Sequence, residues 1–426
     1  MIDAAVAEAA VADTHRREWA LVLAATVRVA RDLDLAEECV QEAYAAALEA
    51  WVRDGIPGNP AAWLTTTAKR RAIDAIRRER ALHSRLALLV EPEVAAVEAT
   101  AEGSMAQDAD APDDAVPDER LRLIFTCCHP ALAPEARVAL TLRLVCGIST
   151  PDIARAFLVS EPTVAARITR AKKKISGAGI PYRIPGPAEL PERLRAVLAV
   201  IHLLFTTGHT APSGASLVRA ELVERAMHLS RTLRELMPGD TEVRGLYALL
   251  LVTDARRATR VDADGRLVRL EDQDRSKWDR TALTEADDII VGCLRAGPPG
   301  RYVLQAAIAS LYADAPSYDQ TDWPQILAVY DKLQDVWPSP VVALNRAVPL
   351  SMVAGPQTAL AEVAKLEQDK HLSGYHYLPA IKADLLRRLG RTDEAARAYD
   401  QAFALAANEA ERAFLAAQIA DHTLPA

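Results

Sequence analysis

Charge in this chain is sorted into blocks, and that sorting limits the architectures open to it. Lys69, Arg70, Arg71, Arg77, Arg78, Arg80 and Arg85 form one cationic block, and Arg167, Arg170, Lys172, Lys173 and Lys174 form a second. From Leu86 to Glu119 there is no Lys or Arg, while Glu91, Glu93, Glu98, Glu102, Asp108, Asp110, Asp113 and Asp114 accumulate beside Pro92, Pro112 and Pro117. Such a stretch holds little that could build a core and reads as a flexible linker. Two cationic modules on an acidic tether point to two nucleic-acid-facing surfaces, although the 426-residue chain carries a formal charge of −8.

The first module spans residues 14–85, the tether 86–118 and the second module 119–180. Asp34 to Tyr44 reads as an amphipathic helix with Leu35, Cys39, Val40 and Ala43 on one face and Glu37, Glu38, Gln41 and Glu42 over the remainder. Gly55-Ile56-Pro57-Gly58-Asn59-Pro60 breaks the chain. A second helix follows from Trp63 to Arg78, with Leu64, Ala68, Ala72, Ile73 and Ile76 as its buried stripe and its cations left outward. In the second module a helix from Ala136 to Val145 ends before Gly147. Ser149-Thr150-Pro151-Asp152 then caps a short helix to Phe157, and Ser160-Glu161-Pro162-Thr163 caps a third running to about Ile175. A short helix, a tight turn and a capped helix with a basic outer face make a helix-turn-helix.

Residues 190–426 are helical almost throughout, apart from Thr259 to Leu270, where Asp264-Gly265 between alternating segments predicts a short β-hairpin. Tyr330, Ala364 and Tyr399 recur at intervals of 34 and 35 residues, close to the ~34-residue tetratricopeptide period. The fold class expected is all-α: two small helical modules and a C-terminal helical repeat domain.

Several functions find no support. There is no Walker loop, GxSxG, HExxH or dinucleotide fingerprint, so neither catalysis nor a cofactor is expected. Five cysteines without CxxC spacing argue for reduced thiols, and Cys127-Cys128-His129 lacks the second half-site that zinc requires, so no metal is expected. Glu271, Asp272 and Asp274 lie beside Arg275 and Lys277, as in a structural ion-pair cluster. No apolar run is long enough to cross a bilayer, and Met1 to Ala12 lacks the basic start of a signal peptide; a cytoplasmic protein is expected.

A recognition helix needs small or polar residues at its N-terminal half for base edges and cations further along for phosphates. Glu161, Thr163 and Ala166 meet the first need, and Arg167, Arg170, Lys172 and Lys173 the second. The run from Leu132-Ala133-Pro134-Glu135 through Gly147, Ser149, Asp152-Ile153-Ala154 and Ser160 to Lys172 resembles the sigma-factor domain that reads the −35 promoter element. Ala36 to Tyr44, Trp63-Leu64, Ala72-Ile73-Asp74 and Arg77-Arg78 resemble the N-terminal sigma domain. The two occur in order with no middle domain, as in RNA polymerase sigma factors of the extracytoplasmic-function type. Leu121 to Pro130, Ala156 to Pro162, Leu270 to Asp279, Leu304 to Ala309 and Pro338 to Val348 extend the resemblance to members with a C-terminal tetratricopeptide-like domain.

The resemblance implies roles for individual residues. Asp34, Glu37, Glu38, Gln41 and Glu42 would dock on the β′ clamp helices of core RNA polymerase, with the β flap as a further contact. Asn59, Trp63, Lys69, Arg70, Arg71 and Arg77 would hold the −10 element of promoter DNA, although Trp63 also reads as a core anchor. Ser160, Glu161, Thr163, Arg167, Arg170, Lys172 and Lys173 would face the −35 element. The C-terminal domain would regulate in cis, leaving open an intramolecular contact with the sigma domains. Two departures stand out: Arg70 replaces the usual Asn, and Leu158 replaces the usual turn Gly, where a left-handed backbone is costly for Leu. Two other readings remain open: a stand-alone helix-turn-helix regulator and a helical-repeat protein-binding scaffold.

Overall fold

A computed structural model describes residues 3–87, 119–157, 159–262 and 265–423. Eighteen α-helices account for most of them, and they divide into two compact units, residues 1–200 and 201–426. No strand forms among the described residues. No helix among them is long and apolar enough to cross a membrane.

The first unit opens with α1 (Ala4–Ala30), α2 (Leu33–Asp54) and α3 (Pro60–Ala87), each packed on the other two. Side-chain caps set their starts. Asp3 accepts from the Ala5 amide at 2.9 Å and Asp32 from the Leu35 amide at 2.7 Å. Arg31 ends α1 in the left-handed region with φ 55°, leaving a sharp turn into α2. The helix α1 begins ahead of the expected boundary at Thr14 because Ala7 and Val11 are themselves buried. The helix α3 runs to Ala87, just inside the expected linker; the rest of that linker, residues 88–118, lies outside the described residues.

The chain resumes with α4 (Glu119–Cys127) and α5 (Pro134–Leu140), the latter continued by one π-helical turn, Thr141–Val145. That wider turn re-aims the backbone before Gly147, which takes φ 67°. Next come α6 (Thr150–Phe157) and α7 (Glu161–Gly177), the expected helix-turn-helix. Ser149 Oγ accepts from the Asp152 amide at 3.3 Å and Ser160 Oγ from the Thr163 amide at 3.4 Å, so both caps form where the sequence places them. Leu158, the departure in the turn, lies outside the described residues.

Both modules therefore sit in one compact unit. Helix α1 packs on α4 and on the π turn. The Trp19 indole Nε1 donates to the Leu144 carbonyl at 3.0 Å, and Tyr182 Oη donates to the Ala24 carbonyl at 3.0 Å.

Helix α8 (Leu190–His209) leads into the second unit, which continues through α9 (Ala220–Leu236), α10 (Thr241–Asp254), α11 (Arg280–Ala296) and α12 (Arg301–Asp314). Gly245 lets α10 and α12 approach closely, since a β-carbon there would lie 2.7 Å from the Val303 amide nitrogen. The expected β-hairpin reduces to one antiparallel bridge, Val261 to Leu267, because Leu270 already enters a 3-10 turn. Asp264 of that hairpin lies outside the described residues.

Three helix pairs follow: α13 (Trp323–Val336) with α14 (Pro340–Ala354), α15 (Pro356–Leu366) with α16 (Tyr377–Arg388), and α17 (Thr392–Leu405) with α18 (Glu409–Thr423). Tyr330, Ala364 and Tyr399 each fall on the first helix of a pair, but Ala364 is exposed and its neighbour Val363 takes the core position. Asn408, fully buried, ties the last helix to the loop after α8. Its Nδ2 donates to the Ala211 and Ser216 carbonyls at 3.0 and 3.1 Å.

Candidate nucleic-acid interface

The acidic stretch lies on α2. Asp34, Glu38, Gln41 and Glu42 are exposed, whereas Glu37, expected on the solvated side, is buried. Its burial comes from the second module. Lys172 Nζ of α7 donates to Glu37 Oε2 at 2.8 Å and to Asp34 Oδ1 at 2.6 Å, and the Arg143 guanidinium pairs with Glu37 Oε1. Gln41 Nε2 adds a bond to the same oxygen at 3.2 Å. Burial opposes the charge on Lys172, but the bonds to Asp34 and Glu37 outweigh it and hold its pKa above the usual lysine value.

The cationic block of the first module lies along α3. Asn59 Oδ1 accepts from the Ala62 amide at 3.0 Å and so caps the helix. Trp63 is half-buried and meets the buried Trp51 edge-on, with centroids 5.9 Å apart, which fits its reading as a core anchor. Arg70 and Arg77 are exposed and Lys69 half-buried, while Arg71 is held by Glu42 Oε2 at 2.5 Å. The buried stripe is narrower than expected. Leu64, Ala68 and Ala72 are buried, but Ile73 is exposed and Ile76 half-buried. The helix thus presents alternating cations and apolar side chains to solvent, a surface able to hold a nucleic-acid backbone and its bases.

On α7, Ser160 and Glu161 are exposed at the helix start, and Thr163 is half-buried with its Oγ1 2.7 Å from Ser160 Oγ. Val164, Ile168, Ala171 and Ile175 fill the core side. Arg170 and Lys173 face solvent. Arg167 and Arg170 join Lys174, Glu135 and Leu132 around an open cleft of about 450 Å³. Lys172, expected among the DNA-facing cations, turns instead toward α2, its side chain only 10% exposed. Arg143 and Trp19, which complete the junction between the modules, carried no sequence signal beyond being a cation and an aromatic on helices.

Other sequence features resolve into packing. Cys127 and Cys128 are buried; burial raises both thiols, Cys128 to about 11, and Cys128 Sγ lies 3.4 Å from Thr141 Oγ1. The acids around Glu271 pair locally: Arg269 reaches Glu271 at 2.8 Å and Asp272 at 3.3 Å, and Lys277 reaches Asp274 at 3.5 Å. Arg275 caps the Tyr312 and Ala315 carbonyls and stacks on Trp278.

Comparison with known proteins places these helices. Sigma-70 region 2 matches residues 15–82, which span most of α1 to α3. Sigma-70 region 4 matches residues 122–175, from α4 to α7. A family of unknown function matches residues 193–293. An uncharacterised protein of Rhizobium meliloti is 44% identical over 92% of its own length and 94% of this chain. The ECF RNA polymerase sigma factors SigK of Mycobacterium ulcerans and Mycobacterium tuberculosis are each 30% identical. The matches cover 72% and 84% of those proteins, and 34% and 39% of this chain. No solved structure matches the chain. With region 2 on the acidic and cationic helices and region 4 on the helix-turn-helix, the chain belongs to the sigma-70 family of RNA polymerase sigma factors.

Proposed function

We propose that the chain acts in the cytoplasm as an extracytoplasmic-function sigma factor. It binds core RNA polymerase, directs it to promoters and helps open the −10 region, while phosphodiester chemistry stays with the polymerase and the chain itself catalyses nothing. The exposed acids Asp34, Glu38 and Glu42, with the exposed amide of Gln41, suit docking on the β′ clamp helices, with region 4 on the β flap. Lys69, Arg70 and Arg77 with Asn59 suit the −10 strand. Ser160, Glu161 and Thr163 at the start of α7, with Arg167, Arg170 and Lys173 behind them, suit the −35 duplex. The helical unit beyond residue 200, read as tetratricopeptide-like, would regulate this activity in cis.

One observation carries the reading: regions 2 and 4 match in order, and each match contains a helix whose exposed face is cationic. Run-off transcription with purified core polymerase on promoters from the same genome tests it. Transcripts that depend on the chain are expected. Duplex binding without transcripts would favour a stand-alone regulator, and neither activity would favour a repeat scaffold.

A further inference from the structure

The second unit gathers arginines at a place where no carboxylate pairs with them. Arg256 follows α10, Arg260 follows the next 3-10 turn, and Arg275 opens another. The Arg256 and Arg275 guanidiniums both lie over the ring of the buried Trp278, 5.7 and 4.6 Å from its centroid. Two of the three have work within the fold. Arg260 donates to the His209 carbonyl and to Thr210 Oγ1, and Arg275 Nη1 donates to the Tyr312 and Ala315 carbonyls. Arg256 has none. Among the described residues no hydrogen bond or ion pair reaches its guanidinium, and its Nε is buried without a partner. Glu411, the acid whose charge Arg260 feels, already has its oxygens on Tyr377 and His376.

The charge at this place is unbalanced. Burial, then the fields of Arg260 and Arg275, lowers Arg256 to about 10, which still leaves it charged at neutral pH. The same positive field reaches His209, where burial followed by Arg260 and Arg256 keeps the ring neutral. A desolvated cation beside two others is unfavourable without a counter-charge, and the Trp278 ring offsets only part of that cost. Arg256 is half-buried rather than sealed, so a small ion from solvent can reach it. Its guanidinium presents parallel donors that match the oxygens of a phosphate or a carboxylate.

We propose that Arg256 is the anchor of a site for a doubly charged oxyanion, the phosphoryl or dicarboxylate group of a small ligand, with Arg260 and Arg275 supplying the attracting field. No residue assigned to polymerase or promoter takes part.

Calorimetric titration of the full chain with pyrophosphate, inorganic phosphate and succinate, each against chloride at matched ionic strength, tests the site. Saturable binding of pyrophosphate or phosphate supports it and assigns a phosphoryl group; binding of succinate alone supports it and assigns a dicarboxylate. Arg256→Gln should weaken whichever anion binds by about tenfold or more, because a charge-assisted pair is lost. Arg231→Gln, at an exposed arginine elsewhere in the unit, should bind as wild type does. Heats no larger than those of chloride, or an affinity unchanged in Arg256→Gln, overturn the proposal. Should that variant fail to fold, phenylglyoxal labelling of the wild-type chain, read at Arg256 by mass spectrometry, decides the matter. The bound anion should slow modification of Arg256, and equal rates with and without it overturn the site.

Discussion

Trp19 and Gly147 meet where the two sigma modules join: the indole of α1 lies against the glycine just past the π turn. That glycine is required twice, once for its positive φ of 67° and once because a side chain would strike the ring. Gly147→Ala should therefore destabilise the first unit by about 1–3 kcal/mol. Urea unfolding of the full chain checks this, and an unchanged midpoint would mean that the two modules yield freely at this point.

Arg167 lines the cleft beside the recognition helix and is free of any ion pair with α2, unlike Lys172. Arg167→Ala should weaken binding of −35 duplex DNA and lower the slope of log K against log salt by about 1, as expected for one lost phosphate contact. Titration at several salt concentrations measures both. Equal slopes would remove Arg167 from the interface.

Two histidines, His209 buried and His202 half-buried, give the second unit a pH dependence. Burial, then the nearby Arg301, lowers His202 to about 4; burial, then Arg260 and Arg256, lowers His209 to about 3. The unfolded chain takes up these protons below about pH 6.5 while the folded chain refuses them. Their contribution is thus whole above pH 6.5 and is lost as pH falls toward 4, at a ceiling of roughly 1.4 kcal/mol per pH unit for each. Desolvation raises Glu242, Asp254 and Asp314 and works in the opposite direction. The histidine share is therefore read as the difference between wild type and His202→Gln/His209→Gln in urea midpoints at pH 7 and pH 5. The double variant should show less loss of stability on acidification.

Asn408 makes a set of buried bonds that no apolar residue could replace. It donates to the Ala211 and Ser216 carbonyls and accepts from the Ala410 amide at 3.0 Å and the Glu411 amide at 3.4 Å. Asn408→Ala should cost the second unit about 2–3 kcal/mol, because the two carbonyls and the helix start lose their partner. Thermal unfolding measures it. A drop no larger than that of an exposed control such as Gln401→Ala would contradict the tie.

The sequence made some of this legible and hid the rest for identifiable reasons. Caps are local, so Ser149 and Ser160 marked the recognition unit correctly, and the basic face of α7 followed from helical period alone. Contacts distant in sequence leave no local trace. Glu37 looks solvated beside Glu38 because only Arg143 and Lys172, more than a hundred residues away, bury it. Ile73 looks buried by period, yet the three-helix packing leaves it exposed. Asp264-Gly265 predicts a hairpin, but the chain turns into a 3-10 segment before strands can extend. Tyr330, Ala364 and Tyr399 each fall on the first helix of a pair, yet at Ala364 the neighbouring Val363 is the buried position.

The central claim is that this chain presents α2 to RNA polymerase, and size-exclusion co-migration with purified core enzyme at low salt tests it most directly. Wild type should elute with core, and Glu38→Lys, which reverses an exposed charge on α2 outside the Lys172 seam, should weaken that association about tenfold or more. If the wild-type chain elutes apart from core, or if Glu38→Lys binds as well as wild type, the account of α2 as the polymerase-binding helix is wrong.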